Sequence, residues 1–102
     1  MVVADIGRYQ ALKGYVIKAI QDTLREKLID YRNKLDEIYT LYSKEDIDNA
    51  ISYGILRTGN SVYMQTDGEY GKILRSLEYG TGRTKALHLV TQSVRKVIGG
   101  RV

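Results

Sequence analysis

The chain has 102 residues, a formal net charge of +4, nine tyrosines and no Cys, Pro, Trp or Phe. That is the length of one domain, able to bury about two-thirds of its unfolded surface, and the missing cysteines exclude disulfides, thiolate metal sites and a cysteine nucleophile. The opening residues lack the basic start and apolar run of a secretory leader, and no run approaches the ~20 apolar residues of a membrane span, so a soluble single domain is expected, with a helical part at 1–53 and a mixed part at 54–102.

After a short lead, Asp5 is placed to cap a helix. Through residues 10–42 the apolar positions Leu12, Val16, Ile20, Leu24, Leu28, Tyr31, Leu35, Ile38 and Tyr42 follow helical spacing. From Leu24 onward the steps alternate four and three, the seam of one helix lying along another at a shallow angle. Asp30–Lys34 and Arg32–Asp36 have the four-residue spacing of supporting ion pairs. One helix of about thirty-three residues would run ~50 Å, whereas a compact domain of this size has a radius of gyration near ~13 Å. Such a rod breaks, with Gly14 and Asn33 its weakest points, or projects onto another subunit. No Gly or Pro lies between residues 15 and 53, which favours one long helix, bent at most. The seam Leu24, Leu28, Tyr31, Leu35 and Ile38 is then a contact between chains.

Ser43 caps a second helix whose first turn carries Glu45 and Asp46, and Gly54 closes it. Ser61-Val62-Tyr63-Met64-Gln65-Thr66 has strand character. Asp67-Gly68 marks a turn, and the spacing of Tyr70, Ile73, Leu74 and Leu77 predicts a helix over 69–78, with a second strand as the competing assignment. Gly80-Thr81-Gly82 turns the chain, and a terminal helix begins near Thr84 and runs through 86–98 to Gly99-Gly100. The fold class is α+β: a long N-terminal helix, a short second helix, a small antiparallel β element and a C-terminal helix.

Charge is uneven. Residues 1–51 hold eight Lys/Arg and nine Asp/Glu, a sum of −1; residues 52–102 hold eight and three, a sum of +5. From Arg83 onward there are five basic residues and no acid. Arg57, Lys72, Arg75, Arg83, Lys85, Arg95, Lys96 and Arg101, interleaved with tyrosines, are candidate contacts to DNA or to an acidic partner. No helix–turn–helix signature accompanies them.

Catalytic chemistry finds no constellation. His88 is the sole histidine, with no obvious carboxylate partner, and reads as a surface or packing residue. Metal-ligand spacing is absent, Gly80-Thr81-Gly82-Arg83-Thr84-Lys85 lacks the order of a phosphate loop, and no Gly-x-Ser-x-Gly occurs. The expectation is a non-enzyme without cofactor or metal.

Glu78-Tyr79-Gly80-Thr81-Gly82-Arg83 says more than its composition. Acid-Tyr-Gly-Thr-Gly, preceded by Tyr70-Gly71 and followed by a short terminal helix, resembles the tail-completion, or head–tail joining, proteins of long-tailed bacteriophages. Gly54-Ile55-Leu56-Arg57-Thr58-Gly59-Asn60-Ser61-Val62 is similar to that family's segment between the helices and the first strand, so the likeness spans roughly residues 54–95. It implies a virion structural protein, made in the host cytoplasm, that forms a homo-oligomeric ring in the neck between the portal-associated adaptor and the tail terminator or tail tube, and lets double-stranded DNA pass at ejection. The turn residues Glu78, Tyr79, Gly80, Thr81, Gly82 and Arg83 would serve shape and contact, and Gly80→Val would block assembly without unfolding the monomer. The alternative from the residues themselves is a small DNA-binding regulator that dimerises through its long helix.

Overall fold

A computed structural model describes residues 2–6 and 13–99. The expected helix start at Gln10 and Leu12, and the tail Gly100-Arg101-Val102, lie outside the described residues.

The architecture is α+β. In chain order it runs β1 (Val2–Asp5), α1 (Lys13–Asp30), a 3-10 turn (Arg32–Lys34), α2 (Asp36–Leu41), α3 (Lys44–Gly54), β2 (Ile55–Thr58), β3 (Ser61–Met64), α4 (Gly68–Tyr79) and α5 (Leu89–Val97). The sheet has three antiparallel strands in the order β1-β3-β2. Strand β1 was not expected: Asp5, the candidate cap, belongs to this strand and pairs with Ser61, and the residues it would cap lie outside the described ones. Strand β2 was not expected either. Thr58 pairs with Ser61, so Gly59-Asn60 is the two-residue hairpin loop, with Gly59 at φ +58° and glycine first, as a type II′ turn prefers.

One face of the sheet supplies Ala4, Ile55, Val62 and Met64 to the core, while the row Val2, Tyr63 and Leu56 crosses all three strands on the other face. Side chains alternate along a strand, so this row points away from the helices, and Val2 and Leu56 are exposed.

The long helix is present as α1, of 18 residues, but it does not continue as a rod. The chain turns at Tyr31 and tightens into the 3-10 turn, where Lys34 N–H bonds the Tyr31 carbonyl and Leu35 N–H bonds that of Arg32. Asn33 sits in this break. The expected ~50 Å rod exceeds the longest dimension of the molecule, 39 Å. The bend also separates the expected ion pairs. Lys34 lies over the Tyr31 ring at 5.3 Å, and Arg32 lies 6.0 Å from the Tyr39 ring. Burial pushes the Tyr39 phenol above its ordinary pKa, and the Arg32 charge draws it partly back.

Bending turns the seam inward. Leu24, Leu28, Leu35 and Ile38 are all at least 94% buried within this one chain, and Tyr31 packs half-buried beside them. The seam therefore closes the chain's own core. Polar ties hold the same arrangement. Arg25 donates to Asp22 at 3.0 Å, to Asp48 at 2.7 Å and to Ser52 Oγ at 2.6 Å, joining α1 to α3. Gln21 Nε2 reaches the carbonyls of Ile51 and Ser52 in the last turn of α3, acceptors that a helix end otherwise leaves unpaired, and that of Ile55 in β2, at 3.1–3.3 Å.

Helix α3 begins as expected, with Ser43 Oγ accepting from Asp46 N–H at 3.1 Å. Gly54 ends it for a different reason from a left-handed cap. A Cβ there would stand 2.4 Å from Leu74 Cδ1, so the glycine lets α3 and α4 approach. The segment after Asp67-Gly68 is helix α4, Gly68–Tyr79, as the apolar spacing predicts.

Candidate assembly and anion-contact surface

The turn between α4 and α5 is built from its ends. Glu78, in the last turn of α4, is only 2% exposed. Its carboxylate accepts from Thr91 N–H at 3.0 Å and from the Thr91 hydroxyl at 2.5 Å. Thr91 is the third residue of α5, whose N-cap His88 makes no side-chain cap. A carboxylate from α4 thus takes the capping role, facing the positive end of the α5 dipole. His88 Nδ1 stands 3.7 Å from Glu78 Oε2, and His88 N–H donates to the Glu78 carbonyl at 2.9 Å. The lone histidine therefore has a carboxylate neighbour after all. It adopts left-handed backbone, φ 50° and ψ 47°, a conformation uncommon outside glycine.

Gly80 is the pivot. Its φ is +77°, its N–H donates to the Ser76 carbonyl at 2.9 Å, and a Cβ on it would stand 2.2 Å from the Thr84 carbonyl oxygen and 2.8 Å from the Lys85 carbonyl carbon. Thr81 folds the loop on itself. Its N–H donates to the Thr84 carbonyl at 3.1 Å, and its hydroxyl accepts from the N–H groups of Arg83 and Thr84. The second glycine, Gly82, is unconstrained, with nothing within 4 Å of a Cβ. The terminal helix starts at Leu89 instead of near Thr84, because residues 81–88 form this loop. At its far end Gln92 Nε2 donates to the Leu87 carbonyl, and Lys27 Nζ reaches Gln92 Oε1 at 3.3 Å, tying the loop to α1.

Replacing Glu78 with alanine leaves the half-buried Thr91 N–H and hydroxyl without their acceptor. The expected loss is about 2–3 kcal/mol, read as a lower urea midpoint at unchanged slope; an unaltered midpoint would show that the carboxylate does not hold the loop.

Outside this frame lie the exposed groups. Tyr79 is 48% exposed and meets the His88 ring edge-on, with centroids 6.1 Å apart. Lys72, Arg75, Ser76, Tyr79, Gly80 and Tyr42 line a shallow cleft of about 500 Å³. On the other side of the loop, Lys34, Arg83 and Thr84 are shared by two further clefts, one completed by Lys85 and Leu87, the other by Asn33, Asp36, Glu37 and Thr40. Glu37 Oε2 is buried there without a hydrogen-bond partner.

The structure thus divides the expected basic contacts. Lys72, Arg75, Arg83 and Lys85 flank one loop. Arg57 lies on β2, and Arg95 and Lys96 lie in the last turn of α5, where Lys96 stands 3.9 Å from Glu26. Lys34 joins the loop group only because the helix breaks beside it, a placement that helical spacing could not indicate. Comparison with protein-family models, curated proteins and solved structures gave no match. Among the described residues no group of three or more His, Asp or Glu could hold a metal ion, and no helix is long and apolar enough to cross a membrane.

Proposed function

We propose that the chain is a virion structural subunit, a tail-completion or head–tail joining protein that assembles into a ring in the phage neck. Its partners are further copies of itself, the adaptor on the portal side, and the tail terminator or tail tube; DNA passes the ring at ejection. The observation that carries this reading is the loop after α4. Buried Glu78 and the crowded Gly80 hold it in one shape, yet what that shape presents outward is Tyr79, Arg83 and Lys85. A rigid, exposed, aromatic and cationic projection suits contact better than chemistry. The outward row of Val2, Tyr63 and Leu56 offers a second surface of contact character.

The regulator alternative loses its proposed route to a dimer, since the seam is occupied within the chain. Sedimentation of the purified chain across a concentration series tests assembly. A multimer should form, and Tyr79→Ala combined with Arg83→Ala should raise the concentration needed by at least about tenfold, equivalent to about 1.4 kcal/mol, with the unfolding midpoint nearly kept. A wild-type chain that stays monomeric to millimolar concentration overturns the proposal.

A further inference from the structure

We infer that the two flanks of the α4–α5 loop form a phosphate-contacting surface for duplex nucleic acid, carried by Lys34, Lys72, Arg75, Arg83 and Lys85. Among the described residues none of the five has a carboxylate within ion-pair distance, whereas Arg25 and Lys96 do. Lys72 and Arg75 are three apart on α4, on one helix face, and both border the cleft below Gly80. Arg83, Lys85 and Lys34 border a second cleft further along the loop, together with Thr84 and Leu87. The loop therefore borders two cationic clefts and is itself held by Glu78, whose carboxylate is turned to Thr91. Asp36 and Glu37 line the remaining cleft beside Lys34 and Arg83, so an anion is disfavoured there and the path runs over the other two.

Duplex fits better than an acidic protein. Protein interfaces have an apolar centre and are depleted in lysine, but three of these five cations are lysines, and most of the large exposed apolar residues lie on other elements: Val2, Tyr15, Ile29, Tyr53 and Leu56. Interfaces with nucleic acid are cationic and wet. The surface exists in a single copy of the chain, so duplex binding and assembly are separate measurements: a monomer that binds duplex ends the ring proposal and leaves this inference standing, and the reverse also holds.

The test is fluorescence anisotropy with a labelled mixed-sequence duplex of about 20 bp. Five neutralised phosphates give a slope of roughly −4.5 for log affinity against log salt, or about a 500-fold weakening from 50 to 200 mM. Lys72→Gln with Arg75→Gln, and separately Arg83→Gln with Lys85→Gln, should each reduce this to roughly −2.7, about 40-fold. The charge-preserving pair Lys72→Arg with Arg75→Lys should keep the original slope, as should Lys96→Gln. Circular dichroism of each variant confirms that the fold persists. No binding at 50 mM, slopes unchanged in both glutamine pairs, or tighter binding of a polyglutamate peptide than of duplex overturns the inference.

Discussion

Gly80→Val should destabilise the folded chain by about 4 kcal/mol, while Gly82→Ala, two residues on, should change stability by less than about 0.5 kcal/mol. Both glycines belong to one Gly-Thr-Gly motif, but only one is enclosed. At Gly80 the backbone sits at φ +77°, and the atoms facing a new Cβ are the carbonyl groups of Thr84 and Lys85, which cannot rotate aside as a side-chain end can. A β-branched residue adds its own aversion to left-handed backbone. The loss comprises conformational strain of about 1–3 kcal/mol and overpacking of similar size. Urea unfolding of the two variants measures the contrast, and Gly80→Ala, which meets the same Thr84 oxygen, provides a milder member of the series. Equal midpoints for the Gly80 and Gly82 variants would mean that the loop yields freely. This result replaces the expectation that Gly80→Val would spare the monomer and affect only assembly: the glycine is part of the fold first. The exposed neighbours Tyr79 and Arg83 are the positions at which contact is separable from folding.

The second large effect lies in the seam. Leu24→Ala and Ile38→Ala should each lower stability by about 2–5 kcal/mol, because both side chains are wholly enclosed by their own chain. The diagnostic is concentration. A seam that joined two chains would make the wild-type unfolding midpoint rise with protein concentration and the variants lose that rise. An intramolecular seam predicts that the variants' loss is the same over a hundredfold dilution. A loss that shrinks with dilution would mean that Leu24 and Ile38 meet a partner.

Much of the helical architecture was legible because helices declare themselves locally. Ser43 with Asp46 marked the start of α3, and Tyr70, Ile73, Leu74 and Leu77 marked α4 against a competing strand. The apolar stripe from Leu24 to Ile38 was legible too. What it packs on was not, since periodicity reports a buried face and not the identity of its cover. The break at Tyr31–Leu35 uses neither Gly nor Pro; it falls at Asn33, one of the two weak points legible in the helix, and the turn forms because Leu35 and Ile38 reach the core only if the chain bends. Strands β1 and β2 were missed for their brevity, four residues each. Strand β3 is as short, but it lies in the run Ser61–Thr66 rich in strand formers, whereas β1 and β2 have no such run and only the partner strand makes them strands. In the loop, the glycines were visible as a turn, but the capping of α5 by Glu78 across thirteen residues has no local signature. Lys34 entered the cationic surface through the same bend.

The middle strand of the sheet has a consequence for how the chain matures. Val2 pairs with Tyr63, and Asp5 with Ser61, so the first strand stays without its neighbour while the three helices that follow it leave the ribosome. Hairpin β2–β3 closes through a two-residue loop and is quick to form; the pairing of β1 must wait for it and span a far longer stretch of chain, a contact that is slow to find. Final closure of the sheet is then a late event of biogenesis, and until it occurs one side of β3 is an open edge during synthesis.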